Sequence, residues 1–167
     1  MHALQWHSDS RGELLELPID GWFEGFAAAQ WNYLRSGPNT LRGFHCHVRH
    51  ADVVVVLSGQ LTLGLSDLRA DSATAGHSET RTLDPTSDAI LIPPGVGHGF
   101  YSATSSVLAV GPSRRWDPTD ELGCRWDDPD LDIDWQCTDP LLSDRDRLGG
   151  TLAELRADIA IRGRELV

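Results

Sequence analysis

His45 and His47 stand one residue apart in the run Arg42-Gly43-Phe44-His45-Cys46-His47-Val48-Arg49-His50-Ala51-Asp52. Imidazole exchanges protons near neutral pH and is the commonest metal ligand, so the pair is a place to look for chemistry. In a strand, side chains at i and i+2 share a face, which aims His45 and His47 the same way. Asp52 follows after a short gap and can return to that face on the next strand. A third imidazole, His98, follows Ile92-Pro93-Pro94-Gly95-Val96-Gly97, where Pro and Gly force a tight turn. Two kinds of chemistry suit this set. One is proton transfer, with a histidine as base and a carboxylate to orient it. The other is metal binding by His45, His47, Asp52 and His98, a nitrogen and oxygen set that suits Fe, Mn, Ni or Zn and leaves positions open for substrate. His50 and His77 read as solvent-facing.

The residues around them carry the pattern of strands and turns. Val53–Leu57 is a continuous, nearly all β-branched run, which predicts a strand buried on both faces. Ser58-Gly59 turns the chain into residues 60–65, where alternate leucines predict a half-buried strand. Residues 81–83, 89–92, Tyr101 and 107–110 continue the sheet, and 66–80 form a long polar hairpin loop. Upstream, residues 4–6 and 13–17 predict short strands around a turn at 8–12, and 30–33 predict another with Trp31 and Tyr33 on one face. Beyond Pro112, Asp and Trp dominate as far as Trp135. The Asp-rich residues 127–134 read as a solvated turn, and Trp126 and Trp135 as core or interface. Residues 151–156 have helical spacing, with 152, 155 and 159 on one side and Gly149-Gly150 marking the start.

A chain of 167 residues can bury a core without staples and is expected to form one domain over 1–167. The formal charge of -11 and the absence of lysine argue against nucleic-acid and acidic-membrane partners. All 14 basic residues are arginine, and a few of them lining a pocket would hold a phosphorylated small molecule. Cys46, Cys124 and Cys137 are odd in number and lack zinc-like spacing, which suits a reducing compartment. There is no basic-then-apolar opening stretch and no apolar run that would span a bilayer, so a cytoplasmic location is expected.

His-x-His-x4-Asp-x6-Gly followed by Pro-x-Gly-x2-His resembles the paired signature of the cupin superfamily, with Asp52 where Glu is usual. The resemblance implies an all-β fold, a cupin double-stranded β-helix or jelly-roll barrel, with a short C-terminal helix. The barrel core would cover about 30–112 and a C-terminal extension 113–167.

A finer resemblance runs along nearly the whole chain. Asp9-x-Arg11-Gly12-x-x-x-Glu16, Gln30-x-Asn32, Leu41-Arg42-Gly43-Phe44-His45 and Ile92-Pro93-x-Gly95-x-x-His98-Gly99-Phe100 occur in that order. Glu121-x-Gly123-x-x-Trp126-x-Asp128-Pro129 and Leu142-Ser143-x-x-Asp146 follow. This ordered set resembles the dTDP-4-dehydrorhamnose 3,5-epimerase family. The resemblance implies an epimerase or isomerase of a nucleoside-diphosphate 4-keto-6-deoxy sugar, with dTDP as the nucleotide and no metal. It assigns His45 as base and Asp146 as its orienting carboxylate. Arg11, Glu16, Gln30, Asn32, Arg42, His98 and Trp116 would bind substrate. It also implies a homodimer with N-terminal strands exchanged between barrels.

Three positions depart from the family pattern. Cys46-His47 replaces x-Gln, Asp52 falls about where a Lys stands beside the developing enolate, and Val110 or Gly111 falls where a Tyr reprotonates carbon. Arg42-Gly43-Phe44-His45-Cys46-His47 is also similar to the Arg-Gly-x-His-x-His of nucleotide-sugar 3,4-ketoisomerases, which implies His47 as a second acid/base. Two other readings stay open. One is a metal-dependent oxygenase or lyase acting through His45, His47, Asp52 and His98. The other is a non-catalytic sugar-nucleotide binding module.

Overall fold

A computed structural model describes residues 1–10, 12–17 and 21–162, and the backbone of 163 and 164. The β-branched and alternating runs form antiparallel strands, as their periodicity requires. A hairpin of β1 (Trp6–Asp9) and β2 (Gly12–Leu15) opens the chain. One sheet holds β3 (Asn32–Ser36), β10 (Ser106–Pro112), β5 (Asp52–Ser58) and β8 (Ile90–Ile92), in that order. The other holds β11 (Leu122–Gly123), β4 (Thr40–Cys46), β9 (Val96–Ser102), β6 (Leu61–Asp67) and β7 (Ser78–Leu83). Two helices close the chain, α1 (Asp144–Arg147) and α2 (Leu152–Arg164).

The two sheets face each other across one core. Val54, Val56, Ile90 and Leu108 from the first sheet meet Leu61, Leu63 and Phe100 from the second. Side chains alternate along a strand, so Val53 and Val55 point the opposite way. There they are covered by Leu4, Leu15, Phe23 and Phe26 of the N-terminal segment. Strand β5 is therefore buried on both faces, and each such valine contributes roughly 1.5–3 kcal/mol.

The second sheet is covered in the same way by the C-terminal extension. Trp135, Leu131, Leu152 and Leu155 pack on Leu41, Cys46 and Tyr101. The Trp135 ring lies over Gly64 and Gly99, where an added Cβ would stand 2.5 and 2.8 Å from it. Strand β6 is consequently not half-buried, as its leucine alternation predicts. Its second face carries Gly64 because the indole occupies the space a side chain would take. The Asp-rich stretch is also less solvated than its composition predicts. Asp128 is buried and accepts N–H bonds from Asp130 and Leu152, so it caps the start of α2. Thr151 and Glu154 close a reciprocal capping box at the same point.

At the N-terminus the strands pair Trp6 with Leu15 and Asp9 with Gly12. The Gln5 carbonyl accepts the Glu16 N–H at 3.4 Å just beyond the last of these pairs, so the hairpin begins later than the 4–6 run predicts. Residues 68–77 form the polar connection between β6 and β7, and His77 there is exposed. Among the described residues, no helix is long and apolar enough to cross a membrane.

Candidate active site

The reactive segment begins with a backbone requirement. Gly43 has φ 125°, and a Cβ there would stand 2.7 Å from the Gly99 Cα. Only glycine suits both the dihedral and the close approach. Across this point the β4–β9 register shifts between Arg42 and His45, and His45 then sits directly opposite His98. The Pro93–Gly95 turn, with Gly95 at φ 81°, starts β9 at the register that makes this pairing.

The two histidines open on a cavity of about 140 Å³ between the sheets. Asn32 and Leu34 of β3 wall one side, and His47, His50 and Asp52 another. Phe100, Val110, Pro112, Trp116 and Glu121 complete it. Among the described residues, no arginine lines this cavity.

His45 Nε2 stands 2.6 Å from Asp146 Oδ1, across a sequence separation of 101 residues. Asp146 is buried, and Ser143 caps α1 by accepting the Asp146 N–H at 3.1 Å. Asp146 is therefore not the cap of a helix. Its carboxylate is free for the imidazole. Burial acts to raise the Asp146 pKa, but hydrogen bonds from His45, Ser143 and the Gly43 N–H outweigh it and hold it below the usual range. A carboxylate on Nε2 fixes the ring's tautomer and orientation and supports the imidazolium form.

The other histidines form a separate, more deeply buried group. His47 Nδ1 is 2.9 Å from the Asp120 carbonyl, and His50 Nδ1 is 2.8 Å from Asp120 Oδ2. The two rings stack with centroids 4.1 Å apart. Their Nε2 atoms face Asp52, at 3.5 Å for His47 and 3.8 Å for His50, and His98 Nε2 faces it at 3.7 Å. Burial, with His47 and His45 nearby, pushes the His98 pKa down to about 3. Burial also raises the Asp52 pKa, against the pull of His47 and His50. Cys46, between the two catalytic candidates, faces the outer core instead, and burial lifts its thiol to about 12.

His50 corrects a sequence expectation. It is 6% exposed rather than solvent-facing. The cause is Asp120, about 70 residues away, which also accepts the N–H groups of Val48 and Arg49 at 3.0 and 3.1 Å. A contact at that range leaves no periodic trace in the local sequence. Asp120 has no local sequence signal of its own for the same reason, and Glu121 stands out only as part of the family motif. The one local signal was the Asp117-Pro118 start of a short turn, with Asp117 capping Thr119.

The four-residue metal set read from the sequence is not assembled as expected. Donor atoms of His47, Asp52 and His98 lie within 4.8 Å of one another, whereas His45 is committed to Asp146 and falls outside the group. His47, His50 and Asp120 make a second such group, already joined by hydrogen bonds.

The remaining candidates divide. Asn32, His98 and Trp116 line the cavity, and Gln30 adjoins it by donating to Asn32 Oδ1 at 2.8 Å and accepting the Trp116 N–H at 3.4 Å. Arg42 is turned onto β3, where it donates to Ser36 Oγ and the Arg35 carbonyl at 3.1 Å each. Glu16 is exposed beside His7, at 3.5 Å, away from the cavity of its own chain. Arg11 lies outside the described residues. Neither tyrosine reaches the cavity. Tyr101 is buried in the outer core with its hydroxyl donating to Asn39 Oδ1 at 3.1 Å, and Tyr33 is exposed. Of the two positions in question, Val110 faces the cavity, while Gly111 is packed under the Trp31 ring.

Comparisons with known proteins bear on the fold and the family. The family model for dTDP-4-dehydrorhamnose 3,5-epimerase matches residues 1–154. The chain is 32% identical over 139 residues to the spore coat polysaccharide biosynthesis protein SpsL of Bacillus subtilis, covering 79% of this chain and 91% of that one. The structure of NovW, a 4-keto-6-deoxy sugar epimerase of Streptomyces spheroides, superposes with a TM-score of 0.81 at 33% identity, over 93% of this chain and 83% of that one. A 3,5-epimerase of Legionella pneumophila, solved with dTDP-4-keto-L-rhamnose, gives a TM-score of 0.82 at 28% identity over 92% of this chain and 89% of that one. The fold is the all-β cupin barrel with a short C-terminal helix, and the chain belongs to the dTDP-4-dehydrorhamnose 3,5-epimerase family.

Proposed function

We propose that this chain epimerises a dTDP-linked 4-keto-6-deoxy sugar, with His45 as the base. The observation that carries the reading is the 2.6 Å bond from His45 to the buried carboxylate of Asp146, beside a cavity shared with His47 and His98. A proton on the carbon next to a ketone is acidified because the resulting negative charge spreads onto the keto oxygen. His45 takes that proton, and Asp146 holds the ring and stabilises its charged form. Return of a proton to the other face inverts the carbon. With Val110 in place of a phenol, His47 serves as the second acid/base.

The cavity, at about 140 Å³, is smaller than common ligand pockets, so it takes the sugar ring and leaves the nucleotide outside. The exposed Trp116, with Gln30 and Asn32 beside it, offers a stacking surface at the rim. Glu16 follows the N-terminal hairpin directly, and Leu14 of β2 is exposed there. We read the hairpin as exchanged within a homodimer, so that Arg11 and Glu16 serve the partner's site. We read the protein as a cytoplasmic enzyme of deoxysugar assembly that binds neither nucleic acid nor membrane. The proton transfer itself uses chain residues and no cofactor.

The test is incubation of purified protein with dTDP-4-keto-6-deoxyglucose in heavy water, followed by mass spectrometry and NMR. Deuterium is expected at C3, at C5 or at both, with an epimeric product. An unlabelled substrate recovered unchanged at enzyme-level concentrations would overturn the reading in favour of a non-catalytic binding module.

A further inference from the structure

We infer that Arg114 and Arg115, on the arch between β10 and Trp116, hold the diphosphate of a nucleotide-linked sugar at the mouth of the cavity. The choice of ligand rests on the proposed epimerase reading, and the place rests on the fold. The chain leaves β10 at Pro112 and reaches Trp116 four residues later, and both of these residues line the cavity. Neither arginine is more than two residues from one of them, about 7 Å of extended chain. The arch is pinned at both feet. The Ala29 N–H donates to the Pro112 carbonyl at 2.8 Å, and the Trp116 N–H donates to Gln30 Oε1 at 3.4 Å. Ser113 also ties it to the start of β5, donating its N–H to the Ala51 carbonyl at 2.8 Å and accepting the Ala51 N–H on Oγ at 3.0 Å. A short irregular segment is thereby fixed in place while its two arginines stay exposed.

These two guanidinium groups are unspent. The other cations around the mouth are not. Arg49 reaches Thr119 and Asp117 at 3.1 and 3.5 Å, Arg145 reaches Glu121 at 2.6 Å, and Arg42 is turned onto β3. Among the described residues, Arg114 and Arg115 have no hydrogen bond or ion pair, although Asp117 stands only two residues beyond Arg115 in the chain. Two adjacent positive charges without a partner repel each other, and an anion shared between them relieves that repulsion.

A nucleoside diphosphate has need of them. It brings negative charge to a chain of net charge -11, at a cavity lined by the carboxylates of Asp52 and Glu121 and, among the described residues, by no arginine. With the sugar in a cavity of about 140 Å³, the diphosphate lies outside it, where the arch stands. Guanidinium is the side chain that grips phosphate oxygens two at a time. Trp116, at the far foot of the arch and 64% exposed, offers its ring beside them.

Binding and kinetics test the pair. dTDP and thymidine are titrated by calorimetry into the wild-type chain, Arg114→Ala, Arg115→Ala and the double variant. Circular dichroism checks folding, and either single variant suffices if the double one does not fold. Each single change should weaken dTDP binding by about tenfold and the double change by about a hundredfold, with thymidine little affected. Arg114→Lys with Arg115→Lys should recover part of the loss, because the charge stays and the two-pronged grip goes. In turnover KM should rise with kcat nearly unchanged, as for an interaction made equally before and during reaction. Arg81→Ala removes the same charge from β7, the opposite edge of the second sheet, and should leave dTDP affinity where it was. A wild-type chain that binds no dTDP overturns the site, as does unchanged affinity in the double variant. An equal loss for thymidine, or an equal loss in Arg81→Ala, overturns it as well. Deuterium wash-in separates the two proposals. Wash-in with dTDP affinity indifferent to both arginines overturns the site alone, and dTDP binding that needs the arginines without wash-in overturns the epimerase reading alone.

Discussion

His45 and the His47–His50–His98 group share one cavity but are wired differently. His45 gives its Nε2 to a carboxylate and is half-buried, with a complete partner 2.6 Å away. The other three use Nδ1 on neighbouring groups and turn Nε2 toward the carboxylate of Asp52, at 3.5–3.8 Å. Identical side chains a few ångströms apart are thus set up for different work. One is paired with a single buried acid from α1, and three gather around the carboxylate of Asp52. The choice is made by which ring nitrogen the backbone and the distant acids occupy, not by the histidines themselves.

Substitutions at the two sets should separate chemistry from stability. The largest effect is expected for His45→Ala, which should slow deuterium wash-in by about a thousandfold while leaving the fold intact by circular dichroism. Loss of stability in step with activity would place His45 in the structural group instead. Asp120→Ala strikes the other set. It strips acceptors from Val48, Arg49 and His50, and denaturant unfolding should show a loss of about 3–5 kcal/mol. A stable Asp120→Ala protein would mean that the histidine group is not held as described.

Asp146→Asn probes the orienting bond more gently. We expect kcat to fall about a hundredfold with KM nearly unchanged, because the amide keeps the shape but does not support the imidazolium. A smaller contrast lies in acid. The folded pKa of Asp146 is held below the ordinary aspartate value near 3.9, so between the two values the unfolded chain binds more protons. The stability from this group is present above that window and is lost as pH falls through the folded value. Asp146→Asn should flatten this part of a thermal-unfolding profile measured from pH 5 downward, and an unchanged slope would assign the acid sensitivity to other groups.

Legibility in the sequence followed the range of the interaction. Strand β5 could be read from five apolar residues because burial on both faces leaves a continuous run. The wrong reading of β6 came from a partner outside its own segment, since the indole of Trp135 fills the face that Gly64 leaves bare. Asp146 could be named only through a resemblance, because nothing within ten residues marks it as the partner of a histidine 101 positions away. The burial of His50 has no local signal, because it depends on Asp120. Arg42 was placed correctly on the motif strand, but its guanidinium turns to β3 rather than into the cavity.

The sequence by itself determined the strands, the turns at Gly59 and Gly95, and the presence of several histidines at one end of a barrel. Those are local matters of dihedral preference, alternation and side-chain type. Tertiary structure alone decided that His45 would meet Asp146 while His47, His50 and His98 would gather around Asp52. The physical reason is that an imidazole's role depends on which of its two nitrogens is already engaged, and the groups that engage them arrive from distant parts of the chain.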